Sequence, residues 1–341
     1  MKAIVYTQYG PPGVLQLKEV AQPVPKDNQV LVKVQAASAN ALDFRRFTST
    51  TILGRFLDGV LFKAIDTVLG ADIAGRVEAV GAAVKQFQPG DEVCGVSAGA
   101  KGGFADYTCA AENQVALKPA NLSFEAAAAV PVAAVTALQG LRDKGQIQPG
   151  QQVLIHGASG GVGTFAVQLA KAFGAEVTAV CSTRNVDMAR SIGADHVIDY
   201  MQEDFSRGGR RYNLILAVNG NHPLRDYTRA LSPGGIAVVL GGSLAQFFQG
   251  VLLGPLVSRL GRKQVHSFIA SVNHKDLVFI KELLEAGKVV PVIERCYPLS
   301  ETAEAIRYLA AGHAPGKVVI TVDQNHTSEQ SPDQSQLGGN A

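Results

Sequence analysis

The chain has 341 residues, 47% of them hydrophobic and 18% charged, with 31 basic residues against 29 acidic ones. That length accommodates two domains with buried cores, the composition excludes a disordered chain, and a net charge of +2 gives no electrostatic footprint for nucleic acid. No run reaches the roughly 18 uninterrupted apolar residues of a membrane span, and the opening MKAIVYTQYG reads as a first strand and not as a signal peptide, so the cytoplasm is the expected compartment.

Over the first 120 residues short alternating runs follow one another. KAIVY (2–6), VLQLKEV (14–20), QVLVKVQAAS (29–38), GRVEAVG (75–81), DEVCGVS (91–97) and ADYTCA (105–110) are predicted strands. PPG at 11–13, PKDN at 25–28 and QPGDE at 88–92 punctuate them. The pattern describes a compact, mostly antiparallel unit over 1–121.

Near Asn121 the pattern changes. LSFEAAAAVPVAAVTALQGLRDK (122–144) is alanine-rich and helical, with Ser123 as its N-cap. Strand and helix then alternate. The strands are QVLIH (152–156), EVTAVC (176–181), HVIDY (196–200), NLILAV (213–218) and GIAVVLG (235–241); the helices start near Gly161, Val186, Pro223 and Leu244. Such alternation predicts a parallel sheet covered by helices on both faces, over 122–269. Beyond it come a helix from Asn273 to Ala286, strand-like VVPVIERCYPL, the helix SETAEAIRYLAAG and the strand KVVITV (317–322). This part, 270–322, is expected to return to the first domain. The polar stretch 323–341 is expected to be a disordered tail.

Four cysteines, Cys94, Cys109, Cys181 and Cys296, form no CxxC pair, so the sequence writes neither a zinc ribbon nor a dithiol motif. The glycine run is more informative. HGASGGVG (156–163) follows a strand, opens a helix and lies inside a βαβ unit, the context that makes a glycine motif a dinucleotide signal. Gly160 and Gly161 let the backbone approach a pyrophosphate at the helix N-terminus, and Gly163 lets helix and strand pack closely. Ala158 occupies the first glycine position of the usual pattern. At the end of the next strand, where an NAD site places a carboxylate, the chain has Cys181, Ser182, Thr183 and Arg184. A hydroxyl and a guanidinium suit a 2′-phosphate, so NADPH is the expected cofactor; the alternative is that Arg184 is a solvated residue at a helix start.

With these residues in hand, the chain resembles the zinc-free quinone oxidoreductase (zeta-crystallin-like) branch of the medium-chain dehydrogenase/reductase superfamily. The resemblance runs to about residue 322. Its marks are N-x-x-D at Asn40 to Asp43, LGADIAGRVEAVG (69–81), QPGDEV (88–93), PVAAVTALQGL (131–141), HGASGGVG, GADHVIDY (193–200) and GKVVITV (316–322). It implies a Rossmann doubly wound parallel sheet plus a GroES-like, mostly antiparallel β catalytic domain. It also implies that Ser159, Gly161 and Val162 surround the pyrophosphate and that Ser182, Arg184 and Tyr200 surround the 2′-phosphate. Asn219, Leu240, Gly241 and Phe268 would flank the nicotinamide. Lys317 either reaches the cofactor or is solvated. Pro315 stands where the family often has arginine, which removes that contact.

Zinc-dependent relatives carry a Cys after the third strand and Gly-His-Glu where this chain has Gly70-Ala71-Asp72. One carboxylate cannot build a three-ligand site, so a metal-free enzyme is expected, and the histidines are expected to be surface or turn residues. Hydride transfer to a quinone or an enone leaves a delocalised oxyanion that one or two hydrogen-bond donors can stabilise. Asn40, Arg45 and Thr136 are the candidate donors. Asn40 and Asp43 equally suit an Asx turn that shapes their loop, and the Thr136 hydroxyl can bond back to its own helix. The expected activity is reduction of a quinone by NADPH. The alternatives are reduction of an alkenal or enone double bond, or a catalytically weak NADPH-binding redox sensor. The apolar stretches 47–70 and 244–263 suit a substrate pocket or a homodimer interface better than contact with a membrane surface.

Overall fold

The computed structural model describes residues 1–48, 67–218, 222–240, 263–312 and 314–322. The expected tail 323–341, the helix start near Leu244 and most of the apolar stretches 47–70 and 244–263 lie outside the described residues.

The N-terminal part contains β1 (Lys2–Tyr6), β2 (Gln16–Glu19), β3 (Gln29–Ala39), β4 (Thr67–Val68), β5 (Asp72–Val80), β6 (Glu92–Val96), β7 (Tyr107–Ala111) and β8 (Val115–Leu117). β1 pairs antiparallel with β2 and β4 in a small sheet. The eleven-residue β3 is the spine of a larger one and pairs antiparallel with both β5 and β7. Its Val30, Val32 and Val34 alternate inward onto Ile73 and Val77 of β5, the period-2 pattern of a sheet with one face on its core.

The alanine-rich segment is two helices, Phe124–Ala128 and Pro131–Leu138, where the sequence predicts one. Pro131 has no N–H to donate backwards, so the first helix ends and Pro131 starts the second at its N1 position. Ser123 does cap the first helix, accepting from the Ala126 N–H at 3.2 Å. The second runs into a π-helical turn, Gln139–Lys144.

The parallel sheet is built from β9 (Gln152–His156), β10 (Glu176–Cys181), β11 (His196–Asp199), β12 (Tyr212–Val218), β13 (Leu231–Leu240) and β14 (Gln264–His266). Their order is β11-β10-β9-β12-β13-β14, with every neighbour parallel. That is the doubly wound order, whose reversal between β9 and β12 opens a crevice at the carboxyl ends of the strands. The strands are apolar on both faces because both are covered. Ile155, Leu214 and Leu216 face the helix Gly161–Ala172, whose Phe165 and Leu169 pack onto them. Leu154, Val180 and Ile215 face the other way, toward Tyr227 of the helix Leu224–Ala230. Burying one side chain such as Phe165 stabilises the fold by roughly 1.5–3 kcal/mol.

The helix His274–Glu285 is capped by Asn273, whose side chain accepts from the Asp276 N–H at 3.0 Å. Its Leu277, Ile280 and Leu284 join the core of the parallel sheet. β15 (Ile293–Pro298), the helix Thr302–Ala310 and β16 (Lys317–Thr321) follow. β16 pairs antiparallel with β3, which brings the C-terminal strand back onto the first sheet.

Candidate active site

The turn after β9 is shaped by close contacts. Gly157 has φ +81°, and a Cβ there would lie 2.1 Å from the Val218 carbonyl oxygen at the end of β12. A Cβ on Gly163 would lie 2.1 Å from the Gly157 carbonyl oxygen, so any side chain would push the helix off the strand. Ala158 is fully buried. The helix Gly161–Ala172 begins at Gly160 with no side-chain cap, which leaves its first-turn N–H groups available to an anion. The space in front is open: a Cβ on Gly160 would approach only the Gly157 carbonyl oxygen, at 3.7 Å. This cradle fits a pyrophosphate. Ser159 is half-buried and its carbonyl accepts from the Gly316 N–H at 2.7 Å. Val162 packs on the parallel-sheet core.

At the end of β10 the half-buried Ser182 accepts from Asn185 Nδ2 at 3.1 Å, and Arg184 is exposed. The Tyr200 N–H donates to the Cys181 carbonyl at 3.0 Å, which holds this half-exposed tyrosine beside the strand end. Sequence reasoning missed Asp199, which pairs with Cys181 across the sheet. Its carboxylate accepts from Thr183 Oγ1 at 2.6 Å, Gln202 Nε2 at 2.8 Å and the Met201 N–H at 3.0 Å. The Thr183 bond is the main cause that holds this acid below the usual carboxylate range.

Facing the cradle is a buried polar hub. Asp72, fully buried at the start of β5, accepts from Ser38 Oγ at 2.8 Å, Asn40 Nδ2 at 3.0 Å, the Val132 N–H at 2.9 Å and Lys317 Nζ at 3.2 Å. Lys317 Nζ also donates to Asn40 Oδ1 at 2.7 Å and to the Ala39 carbonyl at 3.4 Å. Lys317 is therefore not a solvated lysine: it is 3% exposed. Its stem runs along the cradle, where a Cβ on Gly161 would lie 2.8 Å from Lys317 Cδ. The bridge between Gly160 and Gly316 fixes the approach.

The candidate donors fare differently. The Asn40 amide is committed, with Nδ2 donating to Asp72 and to the Ser38 carbonyl at 3.3 Å and Oδ1 accepting from Lys317. Thr136 Oγ1 donates back to the Val132 carbonyl at 2.6 Å, as hydroxyls inside helices often do. Arg45 is exposed. N-x-x-D opens a helix, Ala41–Thr48, and not an irregular loop. Asp43 lies buried in its first turn, where Oδ2 accepts from the Asn40 N–H at 2.8 Å and Oδ1 has no partner among the described residues.

Leu240 is buried at the end of β13. Phe268 is half-buried against the parallel-sheet core, with Lys144 Nζ 6.0 Å from its ring centroid. Asn219 and Gly241 lie outside the described residues. The histidines are not all surface residues. His156 is buried, bonds Tyr227 Oη at 2.8 Å through Nδ1, and packs with Phe205, His222 and Tyr227 at ring separations of 5.2, 5.3 and 5.7 Å. Burial, helped by the neighbouring His222, pushes its pKa down to about 4. A cavity of about 310 Å³ lined by Gln146, Gln151, Asn213 and Gln264 sits at the amino ends of the parallel strands, away from the hub. Among the described residues no group of three His, Cys, Asp or Glu side chains is placed to hold a metal, and no helix is long and apolar enough to cross a membrane.

Residues 26–120 match the family model described as an alcohol dehydrogenase GroES-like domain, and residues 192–320 the one described as a zinc-binding dehydrogenase. The chain is 39% identical over 336 residues to 2-methylene-furan-3-one reductase of Solanum lycopersicum, covering 94% of this chain and 79% of that protein. It is 35% identical over 336 residues to the chloroplastic NADPH-dependent alkenal/one oxidoreductase of Arabidopsis thaliana, with the same coverage of each chain. The structure superposes on the quinone oxidoreductase from Coxiella burnetii with a TM-score of 0.83 at 30% identity, covering 95% of this chain and 99% of that one. A Rossmann sheet facing a GroES-like sheet, an uncapped glycine helix and these likenesses lead to one conclusion: the chain belongs to the quinone oxidoreductase branch of the medium-chain dehydrogenase/reductase superfamily, and it is an oxidoreductase that works with a nicotinamide nucleotide.

Proposed function

We propose that this protein is an NADPH-dependent, metal-independent reductase that transfers hydride to a quinone. The carrying observation is the apposition of the uncapped glycine helix and the Lys317–Asn40–Asp72 hub across the Gly160–Gly316 bridge. The cofactor, when bound, supplies the hydride. The chain's residues hold its pyrophosphate at the first-turn N–H groups and set Lys317, whose charge is paired with Asp72, near the place where the acceptor becomes negative. A quinone or an activated alkene spreads that negative charge over its own π system, so a modest field suffices. Where zinc-dependent relatives carry Gly-His-Glu this chain has Gly70-Ala71-Asp72, and a single carboxylate does not build a three-ligand zinc site.

The preference for NADPH rests on Ser182 and Arg184 at the end of β10. Asp199, the carboxylate opposite Cys181 in the neighbouring strand, already accepts three hydrogen bonds, which leaves it poorly disposed to take a ribose 2′-hydroxyl. Replacing Arg184 by Ala is expected to weaken NADPH binding by about 1.5–3 kcal/mol, the worth of a charge-assisted contact, and to leave NADH nearly unchanged. Equal losses for the two cofactors, measured by fluorescence titration, would contradict the assignment.

A second reading, reduction of the carbon–carbon double bond of an alkenal or enone, is favoured by the likeness to the two plant reductases named above. NADPH oxidation against a panel of quinones, enones and alkenals, with product analysis, tests both. Hydroquinone supports the first reading and a saturated carbonyl the second. Tight NADPH binding without turnover of any acceptor would instead favour a redox sensor. The proposed assembly is a homodimer, and the proposed compartment is the cytoplasm, in keeping with four cysteines that are all free thiols.

A further inference from the structure

The hub contains two buried carboxyl groups in unequal surroundings. Asp72 has both oxygens occupied by four donors, one of them the Lys317 ammonium. Among the described residues Asp43 receives one bond, from the Asn40 N–H to Oδ2, and its Oδ1 has no donor although it is buried. The two acids are linked through Asn40, whose backbone serves Asp43 and whose amide serves Asp72.

We propose that Asp43 serves the reaction as a neutral acid, and that its ionisation suppresses hydride transfer by adding a second negative charge beside the acceptor as the acceptor itself becomes an anion. This rests on the reading above, in which the acceptor is reduced next to the hub. Among the described residues the charged groups facing Asp43 are Asp72, Arg46 and Lys317. Lys317 already forms an ion pair with Asp72. Arg46 is half-buried and donates through Nη2 to the Gly99 carbonyl at 3.2 Å. With Asp43 neutral, the Asp72–Lys317 pair is balanced. With Asp43 ionised, the hub gains a negative charge that Arg46, whose Nη2 is directed to the Gly99 carbonyl, offsets only in part.

The geometry also supports a protonated group. An ionised carboxylate accepts several hydrogen bonds when it is buried, and Asp43 has one among the described residues. Burial is the largest cause pushing its pKa up, to about 7; the bond from Asn40 opposes it, the charge of Asp72 adds to it, and Arg46 and Lys317 offset it in part. The group therefore changes charge near neutrality. No step of the reduction draws on its proton: the acceptor takes the hydride, and the resulting anion takes its proton from water.

The pH dependence of kcat for Asp43→Asn and for the wild type, with whichever acceptor the panel identifies, tests this. The amide oxygen of Asn can still accept from the Asn40 N–H, so the local fold is conserved. Wild-type kcat is expected to fall roughly tenfold or more as pH rises through about 7, while the variant stays near the acid-side rate across the range. The same inflection in Asp43→Asn, or a flat wild-type profile, would overturn the proposal. A second readout needs neither turnover nor the variant: infrared titration of the cofactor-free wild-type protein is expected to show a protonated carboxyl band that disappears through the same range. Its absence near pH 6 would sink the idea even if the variant failed to fold. A wild type that reduces no acceptor at all would remove the functional reading, and this proposal with it. That result is distinguishable from a wild type that turns over without the expected pH dependence.

Discussion

His156 and Asp43 are buried titratable groups whose protonation acts on stability in opposite directions. The folded-state pKa of His156 is lowered from 6.5 to about 4. As pH drops below about 6.5 the unfolded chain takes up a proton that the folded state refuses, so the stability His156 contributes is lost toward pH 4. Asp43 is raised from 3.8 to about 7. Its folded form keeps a proton that the unfolded chain releases above about pH 4, so this contribution is lost as pH climbs toward 7. Each effect is on the order of 3–4 kcal/mol, and over most of this window they nearly cancel. Removing one exposes the other. His156→Phe is expected to be destabilised at neutral pH, because Tyr227 Oη loses its bond to the His156 ring. Its deficit relative to wild type should shrink by about 2 kcal/mol between pH 7 and pH 5. Urea unfolding at the two pH values measures this, and a deficit that stays constant would show that His156 does not resist protonation.

At the level of elements, strand and helix periodicity was legible wherever burial follows one face. QVLIH and EVTAVC match β9 and β10 residue for residue, because continuous apolar runs between turn glycines leave a parallel strand little choice of limits. Ser123 was legible as a cap for a local reason, since it bonds to a backbone N–H three residues ahead; Asn273, read as the first residue of its helix, caps it by the same kind of bond. The break at Pro131 was present in the sequence, yet the alanine-rich flanks read as one continuous helix. The site was harder to read than the fold. Asn40, Asp72 and Lys317 are far apart in the chain, and nothing in their local sequence says that one ammonium will meet both of the others. Asn40 and Thr136 were sound as candidate donors by residue type, but their hydrogen bonds are already directed elsewhere, a fact that only the tertiary arrangement shows. The buried His156 was missed for a similar reason: its partner Tyr227 belongs to a helix 71 residues onward.

On the scale of the whole molecule, the hub joins parts that the sequence keeps separate. Ser38 and Asp72 come from the antiparallel sheet, Val132 from the first turn of the Pro131 helix, and Lys317 from the C-terminal strand, while the Lys317 stem rests on the glycine helix of the parallel sheet. A charge buried at such a junction is costly unless each partner is present. Lys317→Met should therefore destabilise the protein by about 3–5 kcal/mol, because Asp72 remains buried without its cation, and Asp72→Asn should do the same to Lys317. Replacing both removes the uncompensated charge along with the bond. The double variant is accordingly expected to be more stable than the sum of the two losses implies, by about 2 kcal/mol or more. Unfolding of the four proteins in urea closes the cycle. Strictly additive losses would mean that the two residues act independently, and that the bridge from Gly160 to Gly316 and apolar packing hold the two sheets together without the ion pair.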